Sequence, residues 1–360
     1  MRNNLKTKIV IVCTLGITSA VIANEDVAKA YQFRMNGKLD QARTTLEERI
    51  ETAPNDALAL FELSRTELHM GLGDPRQLSE RLKGSREFID RAVAIDSQAV
   101  PFRTFAGHVA FFQAYHAKQN GSPKVKEHFS AASDSFQTAV RLKPNYPQVM
   151  LYLVELHTKF PESAGANRKI AKTYADKLNQ TNEVYAAKVK SILAADSCGV
   201  DFWESLAKNK ANNAEILEEL SKAYLVDGQI DQAEKHIEKA IHVDTKKASL
   251  YLDLSIYHTF EALRARNHDK PIFEKHVLAG ERAITRFLQS KPIRPVQAYA
   301  LGVQSKYKSA MGDMAQARKL IEQAKSIDPY FSKATAAPLP DLFIPPTSIS
   351  KNHRYLMRPF

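Results

Sequence analysis

Eleven histidines and two cysteines are the side chains of this chain best suited to transfer protons, hold a metal ion or attack an electrophile. A zinc or general-base site on a helix wants histidines one turn apart with a carboxylate between them, so that all three share a face. That spacing does not occur. His236 and His242 share a helical stretch, but six residues place them on different faces. Cys198, in Ala195-Asp196-Ser197-Cys198-Gly199, would need a histidine partner and an oxyanion site to act as a nucleophile. Without them it is a small hydrophobe for packing. A Gly-x-Ser-x-Gly elbow and a phosphate-cradling glycine-rich loop are also missing. The expectation is a protein with no catalytic residues, no metal ligands and no cofactor, its histidines at the surface and Trp203 in the core.

The elements that carry these residues follow from composition. With 44% hydrophobic and 25% charged residues, the chain has the balance of a folded protein. Glycine is scarce, at 13 in 360, and Ala, Leu, Lys, Glu and Gln dominate. These side chains lose little rotamer freedom in a helix.

The first 23 residues are a separate matter. MRNNLKTK carries Arg2, Lys6 and Lys8 and no acid, and IVIVCTLGITSAVIA adds fifteen uncharged residues before Asn24-Glu25-Asp26. This is the layout of a cleavable signal peptide, short for a membrane span, with an uncleaved anchor helix as the alternative. Cleavage would lower the net charge from +11 to +8 and leave no transmembrane span. No run of five cations occurs, and Lys and Arg alternate with Asp and Glu as on solvated helices, so nucleic acid is not expected as a partner. After cleavage only Cys198 remains, which excludes an intrachain disulfide. A large exported chain without disulfides suits the bacterial periplasm, or secretion.

Small residues recur at a fixed distance before a glycine: Ala30 and Gly37, Ser64 and Gly71, Ser221 and Gly228, Ser305 and Gly312. Ala30 to Ser64, Ala187 to Ser221 and Ser221 to Ser255 are each 34 residues. Apolar residues flank each glycine at helical spacing, as in Leu217, Leu220, Tyr224 and then Ile230, Ala233, Ile237. This predicts helix, tight glycine turn, second helix, repeated. Ala42, Ala233 and Ala317 sit one turn into the second helix, where a methyl permits close backbone approach. Pro54, Pro144 and Pro329 end second helices, since proline cannot continue the hydrogen-bond ladder. One such hairpin cannot bury its apolar face alone, so neighbours must stack.

On these residues the chain resembles the tetratricopeptide repeat family, best at 23–56, 214–247 and 298–331, well at 57–71 and more weakly at 180–213. Segments 129–146 and 248–260 resemble half repeats. The resemblance implies an all-α solenoid of stacked antiparallel helix pairs. Departures lie at 73–89, 115–128, 158–179 and 264–280, which predict irregular long-helix insertions; Asp74-Pro75 reads as the N-cap and first position of one. From 332 to 360 five prolines exclude a continuing helix and give a proline-rich tail. The organisation is a leader at 1–23, repeats with insertions at 24–179, repeats at 180–331 and the tail at 332–360.

The resemblance also implies a function. In this family the residue after the first helix's small position faces the concave surface. That register gives Tyr31, Arg65, His108, Lys188, Lys222, Ile256 and Lys306, with four fixed cations and no acid. Stacked, they would line a positive path for a carboxylate-bearing segment of a protein partner. Glu218 and Glu219, one turn before Lys222, offer the opposing reading of a solvated charged face. The asparagine that the family's two-carboxylate clamp sets beside its lysines is missing. The expected function is a non-catalytic interaction scaffold of the bacterial cell envelope; the alternative is a ligand-binding or enzyme module with a pocket built by the inserted helices.

Overall fold

Helix follows helix through the computed structural model, which describes residues 25–181, 183–194 and 199–333. The leader at 1–23, Cys198 and all but the first two residues of the tail fall outside the described residues. No strand occurs among the described residues, and no helix there is long and apolar enough to cross a membrane. The chain divides into two compact units, the first running through Pro144 and the second from Asn145, so the 179/180 boundary drawn from the repeats falls inside the second.

Among the described residues unit 1 contains three helix pairs: α1 (25–35) with α2 (Leu39–Thr52), α3 (Ala57–Gly73) with α4 (Leu78–Ile95), and α5 (Val100–Gln119) with α6 (Val125–Leu142). Unit 2 contains five among the described residues. They are α7 (Pro147–Lys159) with α8 (Arg168–Asn179), α9 (Glu183–Leu193) with α10 (Val200–Asn209), α11 (Ala214–Val226) with α12 (Ile230–Val243), α13 (Leu250–Ala265) with α14 (Lys270–Gln289), and α15 (Arg294–Ala310) with α16 (Met314–Ile327). The departures from the 34-residue period are extra turns of helix. α5 and α14 reach 20 residues, α4 and α6 reach 18, and a short 3-10 turn at Glu162–Ala164 precedes α8.

Local chemistry sets the ends. Asp56, Asn213, Asp269 and Asp313 each accept a backbone N–H of the helix they open. Gly37, Gly228 and Gly312 take positive φ, and the N–H after each returns to the carbonyl five residues back: Lys38 to Phe33, Gln229 to Tyr224, Asp313 to Lys308. This is one helix-ending turn made three times, in a region of φ that glycine alone enters cheaply. Gly121 makes it a fourth time between α5 and α6, with Ser122 N–H on Ala117 O. Two expectations change. Gly71 lies inside α3, where a Cβ would come within 2.8 Å of the Arg81 Cβ, so it serves close packing rather than a turn. Asp74 ends α3 instead of opening α4: its carboxylate holds the Arg76 N–H and guanidinium, and three turn residues intervene before Leu78.

Packing matches the small-residue register. Ala30, Ser64, Ser221 and Ser255 are fully buried, as are Ala42 and Ala233. Unit 1 closes on Val27, Ala30, Ala42, Leu46, Ala59 and Leu63. In unit 2, Trp203 joins Ile216, Leu217, Leu220, Tyr224, Ile237, Leu250 and Leu254 in one core, the packing role read for it from the sequence.

Candidate functional site: the first-helix layer

Within each unit the first helices of successive pairs also touch each other. Arg34 of α1 bonds Glu62 of α3, and Phe61 of α3 meets Phe102 and Phe105 of α5. In unit 2, Tyr185 of α9 donates to Gln148 of α7, Lys188 of α9 faces Glu215 and Glu219 of α11, and the Tyr307 hydroxyl of α15 donates to the Ser255 carbonyl of α13. The first helices therefore form a continuous layer in each unit, backed by the second helices. Arg286 of α14, paired with Glu234 and Glu238 of α12, ties the backing layer together.

The seven register positions differ sharply in exposure. Tyr31 is buried beside the guanidinium groups of Arg34 and Arg65, 5.5 and 5.9 Å from its ring centre, and burial pushes its phenol up. Arg65 is fully buried, with Nη1 donating to Glu62 Oε2 at 2.9 Å. His108 is buried edge-on against Phe136, and burial lowers it to about 3, so it is neutral in any ordinary buffer. Ile256 is half-buried and Lys306 exposed. Lys188 lies 3.5 Å from Glu219 and 3.9 Å from Glu215. The Lys222 ammonium donates to Glu218 at 3.0 Å and Glu219 at 3.5 Å; burial alone would lower it, but Glu219, Glu218 and Asp253 together hold it above its ordinary value.

Three of the four fixed cations in the register thus have carboxylate partners on the same layer. The partners of Lys222 come one turn earlier on α11, at the i−4 and i−3 positions from which Glu reaches Lys, whereas those of Lys188 reach across from α11 to α9. Lys247, after α12, completes a bridge to Glu218 Oε2 at 2.6 Å. What the layer presents there is alternating charge with Tyr185 between, rather than an uninterrupted positive path.

The structure adds residues that the register omits. Arg34 and Glu62 join Arg65 in a fully buried ionic trio. Glu67 pairs with Arg81 at 3.0 Å and Arg43 at 3.3 Å. The Glu62-x-x-Arg65 spacing was a visible local signal. Arg34, 28 residues before Glu62, carried none. The histidines also depart from expectation: His69, His108, His157, His258 and His276 are buried. Nδ1 of His258 and of His276 share a hydrogen bond at 2.9 Å across α13 and α14.

Among the described residues no group of three or more His, Cys, Asp or Glu could hold a metal ion. A cavity of about 430 Å³ opens beside α9 and α10, lined by Ala186, Val189, Leu193, Phe202 and Leu206, with the Lys190 ammonium 4.8 Å over the Phe202 ring. Asn179, the last residue of α8 and of the 158–179 insertion, is among the residues that line it.

No family model matches the chain, and no curated protein does. Solved structures do. The crystal structure of MamA is 19% identical, covering 61% of this chain and 95% of its own, at a TM-score of 0.32. A tetratricopeptide repeat protein from Parabacteroides merdae is 14% identical over 85% of this chain and 93% of its own, at 0.36. The human IFIT1 dimer with m7Gppp-AAAA is 13% identical over 86% of this chain and 69% of its own, at 0.38. At these scores the similarity carries no argument about function. The all-α stack of tetratricopeptide-like helix pairs rests on the turns, small-residue packing and helix order described above.

Proposed function

We propose that the protein is a non-catalytic interaction scaffold of the bacterial cell envelope, exported by its leader, which holds an extended segment of a partner protein along the first-helix layer. The observation that carries this is the layer itself: adjacent first helices join into one surface in each unit, and in unit 2 that surface bears Lys188, Lys222, Lys306 and the neighbouring Tyr185 at or beside the positions that face a partner in the family it resembles. A surface of paired charges and tyrosines suits an extended polypeptide, whose backbone and side chains can exchange hydrogen bonds with it. In unit 2 the balanced charge favours a polar segment of mixed sign.

The test is purification of a tagged full chain from envelope extract, wild type beside Lys188→Gln with Lys222→Gln. Retention of one partner by the wild type, and its loss at least tenfold in the double variant with helical content unchanged, supports the reading. Equal retention would remove the layer from the account. The leader is tested apart, by intact mass of the exported chain: a mass beginning at Asn24 supports export by cleavage, and one retaining residues 1 to 23 makes the leader an anchor.

A further inference from the structure

In unit 2 the first-helix layer carries a second row of side chains beside the charged one. Five residues after the small residues Ala187, Ser221, Ser255 and Ser305 stand Ile192, Val226, Phe260 and Ala310. All four are apolar, and they lie on the successive first helices α9, α11, α13 and α15. Val226 is 91% exposed and Phe260 60%; Ala310 is exposed and Ile192 half-buried. Each comes four residues after the register position on its own helix, so the two rows share a face and run one turn apart. The helices that bear them are joined side by side. Lys188 of α9 meets Glu219 of α11, Lys247 in the turn leading to α13 bonds Glu218 of α11, and Tyr307 of α15 donates to Ser255 of α13.

Single exposed apolar side chains are ordinary, but a contiguous exposed stripe marks a binding surface. Its spacing selects what fits. Helices packed side by side lie about 10 Å apart. A polyproline II chain repeats every three residues, about 9 Å, and keeps residues i, i+3 and i+6 on one edge. A β-strand sends i and i+3 to opposite faces. An α-helix, about 10 Å wide, would also cover the charged row one turn away and strip water from its ion pairs. The narrow polyproline chain can lie on the apolar row alone. Charge then sets its neighbouring edge. Lys306, at the α15 end of the charged row, is exposed and has no carboxylate partner among the described residues, unlike Lys188 and Lys222.

We propose that the apolar row of unit 2 binds a proline-rich segment of a separate partner chain, in polyproline II conformation. The segment sets an apolar side chain on the row at every third residue and turns an acidic side chain on the adjoining edge toward Lys306. This rests on the scaffold reading and names the chemistry of its unit 2 partner.

The experiment titrates the full chain into fluorescein-labelled, end-blocked peptides of repeating Leu-Pro-Glu, Ser-Pro-Glu and Leu-Pro-Gln, read by fluorescence anisotropy. The row predicts at least a tenfold preference for Leu-Pro-Glu over Ser-Pro-Glu. Val226→Ser and Phe260→Ser should each narrow that preference at least threefold, with helical content unchanged, while Val243→Ser, at an exposed position of a second helix, leaves it intact. Lys306→Gln should remove the preference for Leu-Pro-Glu over Leu-Pro-Gln. A wild-type preference that Phe260→Ser and Val226→Ser do not move would overturn the proposal. Preference that emerges only in a Leu339→Ser, Leu342→Ser chain would overturn the assignment to a separate partner and give the row to this chain's own proline-rich tail. Equal binding of Leu-Pro-Glu and Ser-Pro-Glu by both chains overturns the row itself, and needs no variant of the layer to fold. The scaffold reading would survive that result, because retention of its partner from envelope extract is tested at Lys188 and Lys222, outside the apolar row.

Discussion

Four of the buried histidines, His108, His157, His258 and His276, tie this protein's stability to acid. His258 and His276 share one hydrogen bond and cannot both carry a proton cheaply across 2.9 Å. Burial, then the neighbouring His276, Arg282 and Lys275, lowers His258 to about 4. Burial also lowers His276, against the pull of Glu261, and takes His157 to about 4. The fold therefore binds these protons less well than the unfolded chain, whose histidines titrate near 6.5. Stability should be full above pH 6.5 and fall as pH drops from 6.5 toward 4. His258 alone should cost about 2 kcal/mol by pH 5. Urea midpoints at pH 7.5 and 5 check this, and the drop should shrink in a His258→Gln, His276→Gln chain. A drop of the same size there would remove the pair from the account. Buried Trp203, Ala42 and Ala233 were legible in the sequence because each occupies a position whose period fixes its face. The histidine pair and Arg34–Glu62 were not, because both join helices whose stacking, rather than local spacing, brings the partners together.

At the scale of the helix pair, the turn and the small-residue contact are the features most exposed to substitution. Gly228 holds φ at 77°, and Val there would pay the left-handed penalty of a β-branched side chain. The expected cost is about 1 kcal/mol or more. Ala233 has no exposure and is packed among Ile216, Leu220 and Ile237, so Ala233→Phe must push helices apart, at about 1–3 kcal/mol. Chemical denaturation of both variants checks these figures, and a midpoint for Ala233→Phe equal to wild type would contradict the packing register. Among the described residues, three of the four glycines that end an α-helix with this turn were legible from the small residue seven positions before each. Gly121 was missed because the long α5 shifts it out of the 34-residue phase, although buried Ala114 stands seven residues before it. Gly71 stood in phase and proved to be a packing glycine, since α3 continues two residues past it. Asp74 misled for a related reason: a side chain able to open a helix also closes a turn, and Arg76 supplied the partner that decided between them.

At the scale of the molecule, helix order and pairing were legible through the repeat, because each pair buries its apolar face only against its neighbours. The charge character of the first-helix layer was not. Reading one position per repeat counted the cations; Glu218 and Glu219 beside Lys222 were visible as the opposing reading, but the reach of Glu215 and Glu219 across to Lys188 on α9 was not. Unit 2 consequently presents balanced charge. The central claim is that a partner segment lies along this layer. Photocrosslinking tests it most directly, with a benzophenone amino acid placed in the full chain at Ile256 or Lys306 on the first helices, and at Lys239 or Arg318 on exposed positions of the second helices. The account predicts one crosslinked partner, shared by Ile256 and Lys306 and absent from Lys239 and Arg318. The same partner crosslinked equally from the second helices, or from them alone, would contradict it.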